Sequence, residues 1–209
     1  GLDTVAFRLA STMELTAQKV PDVYKLKTKP INLYLNNQTF LSNGYTALAP
    51  RHMQYYIHAP QDVTELGSTD WLKLLAIHEY RHVVQFDYFK RNFSLVPASL
   101  FGDYGLAVIS HMALPFWYFE GDAVAAETML SNLGRGRLPS FEMKVKAIVT
   151  DENQKFTYKQ AYLGSYKRYF PNYYYLGYYM YTHIARNYGI KTWPLIINRV
   201  TYLPILPYS

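Results

Sequence analysis

Residues 76–88 read AIHEYRHVVQFDY. Two histidines stand four apart with a glutamate directly after the first, inside an otherwise apolar run. Four residues of α-helix turn the chain through about 400°, so His78 and His82 point the same way, one turn apart. Two imidazoles so placed can grip one zinc ion, and Glu79, offset by one residue, projects beside that ion rather than onto it. With six histidines and seven glutamates in 209 residues, such a pattern arises by chance about 0.006 times in a chain of this length. The flanks LLAI and VVQF make the helix largely buried, and burying two unpaired histidines with a glutamate is costly. The motif therefore reads as a metal site rather than as a polar stripe.

The surrounding pattern sets the fold class. Asp70 caps a helix that starts near Trp71 and continues through Leu74, Leu75, Val83 and Phe86 to about Asn92. Before it, Val5, Leu9 and Met13 mark a helix over residues 3 to about 19. INLYLNN (31–37) alternates like a half-buried strand, Ser42-Asn43-Gly44 is a turn, and GYTALAP and MQYYIHAP are two short β-like runs. After an apolar, glycine-containing connection, Pro115 opens a second helix that runs to about Leu133. Further helices are expected over 140–149, 172–188 and 192–200. Strands first and helices afterwards predict an α+β chain: an N-terminal mixed sheet packed on the motif helix, followed by a mainly helical part from about residue 93. Residues 1–209 are expected to form one domain, itself a piece of a larger protein.

Composition excludes several alternatives. Half the residues are hydrophobic and 17% charged, so the chain is globular. No cysteine is present, which removes disulfides, thiolate metal sites and cysteine nucleophiles. The net charge of +6 is scattered among short clusters such as Lys25, Lys27 and Lys29, or Arg135 and Arg137. Phosphate tracking wants a concentrated basic face, so no nucleic-acid partner is expected. Gly134–Arg137 reads as a helix stop and turn. The longest uncharged stretch, Tyr104 to Phe119, falls short of a membrane span. Asp3 and Arg8 exclude a signal peptide, and Gly1 in place of methionine fits a mature chain or a fragment. The 22 tyrosines, dense after residue 155, suit grooves and half-buried surfaces.

A catalytic zinc site needs a third protein ligand. A histidine six residues beyond His82 would supply one, but position 88 is tyrosine. The better candidate is Glu120 in PFWYFEGDAVAAE, a carboxylate flanked by Trp117, Tyr118, Phe119 and Ala123 that needs a cation if buried. Glu127, seven residues on, shares its helix face and is the candidate to orient a ligand imidazole, whereas Asp122 is rotated away.

HEYRH followed by WYFEGDA resembles the gluzincin branch of the zincin-like metallopeptidases, and within it the bacterial peptidase-MA-like domains, over about residues 30–190. The resemblance implies a zinc-dependent peptidase. One Zn2+ would be bound by His78, His82 and Glu120, with Glu79 as general base toward a metal-activated water. It also implies an oxyanion donor in a Y-x-x-G pattern, which Tyr174-Tyr175-Leu176-Gly177 matches; Tyr174 is the candidate, with Tyr175, Tyr178 and His183 as rivals. A peptide or protein substrate would lie along an edge strand at NGYTALAP. The G-x-M-E-N motif of the aminopeptidases is missing, which leans toward endopeptidase action. The long spacing from His82 to Glu120 implies an insertion over about residues 91–113 that folds away from the metal. By the same resemblance the protein is expected outside the cell, in the periplasm or at the cell surface, and a TolB-like β-propeller C-terminal to this chain is a partner domain some members carry. The alternative is an inactive zincin-like module that binds a peptide, glycan or partner domain through its tyrosine-rich cleft. An intramembrane protease would need several spans.

Overall fold

The computed structural model describes residues 2–20, 22–62, 70–151 and 155–204; Gly1 and the reading attached to it lie outside them. The class is α+β. Helix α1 (Leu2–Lys19) leads into a short 3-10 turn and three strands, β1 (Asn32–Asn36), β2 (Gly44–Leu48) and β3 (Arg51–Tyr56). The order is β1-β3-β2, with β1 parallel and β2 antiparallel to β3, so the sheet is mixed but small. Then come α2 (Trp71–Phe89), α3 (Leu95–Ala113), α4 (Phe116–Leu130), α5 (Pro139–Thr150), α6 (Tyr158–Leu163), α7 (Tyr173–Tyr188) and α8 (Thr192–Val200).

Helix α2 is the structural axis. Asp70 caps it, its side chain accepting from the Leu72 and Lys73 amides at 3.0 and 3.2 Å. Every residue from Leu74 to Phe86 is buried, as the apolar flanks of the motif require. The Trp71 indole donates to the Tyr56 carbonyl at 3.0 Å, which ties the helix start to β3. The Tyr55 hydroxyl reaches the Leu75 carbonyl at 3.3 Å. One hydrophobic cluster links Leu9 of α1, Met53 and Tyr55 of the sheet, Val83 and Val84 of α2, and Trp193 and Ile197 of α8.

Helices α4 and α7 cross at two glycines. A Cβ built on Gly121 would lie 2.1 Å from the Gly177 carbonyl carbon, and one on Gly177 would lie 2.0 Å from the Trp117 carbonyl oxygen. Only glycine permits this approach, in which backbone meets backbone. Because Gly121 follows Glu120 and Gly177 lies one turn after Tyr174, the crossing brings both side chains toward one site.

Two expectations need correction. The stretch over 91–113 is not a glycine-containing connection but helix α3, kinked at Gly102 (φ 61°). Asn92–Ala113 is, by length and composition, long and apolar enough to cross a membrane, with a mean hydropathy of 1.3. Asp103 bounds the uncharged stretch Tyr104 to Phe119, yet one acid within 22 residues leaves the average high. Leu100, Phe101, Tyr104, Val108 and Met112 of this helix are exposed, while Leu106, Ile109 and Ala113 are buried. Helix α6 was also unforeseen, although Thr157 and Gln160 form a capping box at its start.

Replacing Gly177 with alanine is expected to force α4 and α7 apart and to cost about 2–3 kcal/mol of stability. Gly121→Ala should behave alike. Urea unfolding of both variants measures the loss, and wild-type midpoints would contradict the close crossing.

Candidate metal centre

His78 and His82 of α2 meet Glu120 of α4 at one point. His78 Nε2 stands 3.1 Å from Glu120 Oε2, His82 Nε2 stands 3.4 Å from the same oxygen, and the two Nε2 atoms are 3.3 Å apart. His78 and His82 are buried and Glu120 is partly buried.

The outer nitrogens decide which state the inner ones hold. His78 Nδ1 lies 2.5 Å from Glu127 Oε1 and 2.8 Å from Arg135 Nη2; the ionised Glu127 can only accept, so the Nδ1 proton goes to it. His82 Nδ1 faces Gln85 Oε1 at 2.8 Å, and the Gln85 amide nitrogen is committed to the Phe119 carbonyl and Asp122 at 2.9 and 2.7 Å. Its oxygen therefore accepts, and His82 Nδ1 carries the proton. With both outer nitrogens protonated, a neutral imidazole leaves Nε2 a bare acceptor. Two such nitrogens and a carboxylate oxygen then converge with no donor between them, and only a cation or added protons can satisfy the cluster. Tetrahedral zinc with ligands at about 2.0–2.1 Å sets them about 3.3–3.4 Å apart. The observed triangle fits that size.

Without metal, protons fill the role. Burial pushes His78 down, but its hydrogen bonds to Glu120 and Glu127 outweigh that and hold its pKa at about 9. His82 is likewise lowered by burial and raised further by Glu120, for a net rise. Burial raises the Glu120 carboxyl, yet the two imidazoles pull it well below the usual carboxylate range.

Around this triangle lies a second layer. Glu127, buried on α4, also takes the Arg135 guanidinium, whose Nε donates at 3.0 Å and whose Nη2 contacts Oε1. Burial raises Glu127, but Arg135 and His78 together lower it more, so it stays ionised. Arg135 thus leaves the surface cluster in which the sequence placed it and turns inward from the short 3-10 turn after α4. Asp122 does face away from the triangle of His78, His82 and Glu120, as its position on the helix implies. Its carboxylate is gripped by Arg81 at 2.8 and 2.9 Å and by the Tyr24 hydroxyl at 2.7 Å.

Glu79 and Tyr174 flank the triangle. Both line a cavity of about 290 Å3 together with His78, Arg135, Gly44, Leu74 and Trp71. The Thr46 hydroxyl of β2 lies 3.1 Å from Glu79 Oε2 and 2.8 Å from the Glu79 carbonyl, tying the carboxylate to the edge strand. The Tyr174 ring lies near-parallel to His78, centroids 6.1 Å apart, and the Arg135 guanidinium carbon is 5.4 Å from its ring centre. Burial, with Glu120 and Tyr173 adding to it, raises the Tyr174 phenol far above its ordinary value, so it remains a donor. The rivals lie elsewhere. Tyr175 stacks on Phe141 at 4.0 Å, Tyr178 reaches the Gly136 carbonyl, and His183 contacts Asn187 on the exposed side of α7. Sequence reasoning missed Thr46, Gln85 and Arg135. Gln85, one turn beyond Arg81 and three residues after His82, was the only one with a helical-spacing signal.

The segment over 91–113 packs near the site rather than leaving it altogether. His111 of α3 sits with its ring 6.2 Å from Phe86 and 5.9 Å from Phe119, and Phe86 in turn lies 6.4 Å from His82.

No protein-family model, curated protein or solved structure matches this chain.

A divalent ion entering this triangle must displace the protons held there. Since His78 is raised to about 9, it is protonated below that pH, and affinity should fall about tenfold per pH unit for each proton displaced. Calorimetric zinc titration near pH 7, in buffers of different ionisation enthalpy, should report release of at least one proton per ion. Uptake without proton release would refute the assignment.

Proposed function

We propose that the chain is a zinc-dependent peptidase of zincin-like type, with one ion held by His78, His82 and Glu120. The observation that carries this reading is the triangle of three facing acceptors with a second carboxylate, Glu79, beside it rather than in it. A structural site would have no use for that carboxylate, since closed zinc sites take all their groups as ligands. Bound zinc supplies Lewis acidity: it polarises a carbonyl and lowers the pKa of water toward about 7.

The remaining steps belong to side chains. Glu79 takes the proton from the attacking water and passes it to the leaving amine. No described residue bonds its Oε1, and Thr46 steadies Oε2. Tyr174, kept protonated by burial, donates to the oxyanion that develops on the scissile carbonyl. Glu127 and Gln85 hold the two imidazoles in the tautomer that presents Nε2 inward. Strand β2 is an edge of the sheet, and Gly44 on it lines the cavity. An extended substrate can pair there through its main chain. The apolar wall of Trp71, Leu74 and Leu75 favours an apolar side chain in that cavity. The lack of an amine-binding glutamate motif on this strand supports endopeptidase action.

Glu79→Gln tests the reading. An amide keeps an oxygen for the Thr46 hydroxyl but cannot accept the proton. The variant is expected to bind zinc with wild-type stoichiometry by elemental analysis and to lose at least 100-fold in cleavage of a fluorogenic peptide library. Wild-type turnover by this variant would exclude Glu79 as base, and a zinc-loaded wild-type protein that cleaves nothing would favour the binding-module alternative.

A further inference from the structure

An open groove of about 1090 Å3 runs between α1 and strand β1, and none of His78, His82 and Glu120 lines it. Leu9 and Met13 form one wall, Leu33 and Leu35 the other, and Met53 and Tyr80 the floor. It exceeds the roughly 300–1,000 Å3 of small-molecule sites. Three observations indicate what fits it.

Strand β1 is an edge, since the order β1-β3-β2 leaves its other side without a strand among the described residues. Leu33 and Leu35 register with Met53 and Tyr55 of β3, and so share one sheet face with them. Yet Met53 and Tyr55 are fully buried while Leu33 and Leu35 are only half-buried. The apolar face is incompletely covered where the backbone is also unpaired. Charge adds the third observation. Lys25, Lys27 and Lys29 line the groove and are exposed, Glu14 is the one carboxylate in the lining, and none of the three lysines forms an ion pair among the described residues.

We propose that this groove receives an extended peptide segment with acidic flanks, which adds to β1 as a fourth strand. Main-chain hydrogen bonds to the open side of β1 supply affinity, and alternate apolar side chains enter the space under α1. The five residues of β1 extend about 16 Å, enough for a partner of five or six residues. Three lysines select acidic ends and disfavour a second copy of this same edge, which would set lysines against lysines. A free fatty acid would satisfy the apolar lining and a lysine but would leave the strand's amides and carbonyls unpaired.

The test uses the whole chain and needs no hydrolysis. The probe is an acetylated, amidated heptapeptide of alternating valine and threonine with glutamate at both ends. Titration should show saturable binding, and amide exchange should slow within Ile31 to Asn36. A copy N-methylated on alternate amides should bind at least tenfold more weakly. Ala10→Trp, which fills the groove from the exposed side of α1, should abolish binding while thermal unfolding and zinc content stay unchanged. Absence of saturable binding up to millimolar peptide would overturn the proposal. So would equal binding of the N-methylated peptide, or sodium oleate saturating the groove and excluding the peptide.

Discussion

The buried pair of Arg81 and Asp122 is the constraint on which the site's geometry depends. Arg81 is 2% exposed and Asp122 wholly buried. Two parallel hydrogen bonds join them, a third runs from Arg81 Nη1 to the Val20 carbonyl at 2.7 Å, and Tyr24 and Gln85 complete the carboxylate's partners. Burying two charges costs several kcal/mol each, and attraction offsets this only where every donor and acceptor is matched. Here the carboxylate is matched by the guanidinium, a phenol and an amide. The net stabilisation of such a pair is small, but breaking it by removing one partner costs about 3–5 kcal/mol. What it provides is register. Arg81 immediately precedes His82 and Asp122 follows Glu120 by two, so locking them fixes where the imidazoles of α2 stand against the carboxylate of α4.

The same pair reaches the candidate metal ligands through Gln85, and this makes the two histidines unequal. His82 is oriented by a neutral amide anchored on Asp122. His78 is oriented by an ionised carboxylate, itself anchored by Arg135. A carboxylate partner raises the basicity of an imidazole, whereas an amide mainly orients it. The more basic imidazole is thus the one beside Tyr174 and the cleft, and the less basic one lies toward Phe86 and α3. Arg135 keeps Glu127 from becoming a proton trap, because a carboxylate already paired with guanidinium holds its charge as the imidazole changes state.

The parts legible in the sequence were those set by local spacing. The four-residue interval of His78 and His82, the Asp70 cap, and the seven-residue step from Glu120 to Glu127 all follow from helical periodicity. Asp70 does cap the helix, and each of the two spacings brings its pair to one helix face. Choosing Tyr174 among its neighbours needed tertiary information, because the Gly121–Gly177 crossing decides which tyrosine of α7 reaches the cavity. Thr46 and Arg135 were illegible for a related reason: one comes from a strand 33 residues before Glu79, the other from a turn that looked solvated. Helix α3 was hidden by Gly102 and Asp103, which punctuate the sequence as a loop would although the chain stays helical on both sides. The three strands were located, but no spacing rule reveals that β1 and β3 run parallel.

A three-stranded sheet of five- and six-residue strands has too little hydrophobic face to stand alone, and this ties the cleft to the core. Its inner face is completed by α2 through Tyr55, Met53 and Leu75, and its edge strand β2 is pinned to the motif by Thr46. Gly44 allows that edge to approach, since even a Cβ there would lie 2.8 Å from the Leu75 side chain. The strand that would carry substrate is therefore set against α2 at the turn that bears Glu79. Any movement of β2 away from the helix must break the Thr46 contact and uncover Leu75 together. Under the proposed chemistry, the base and the substrate's main chain are thus referenced to one another directly rather than through the rest of the fold. This economy of contacts explains how so small a sheet can define one wall of the cavity that Glu79 and Tyr174 line.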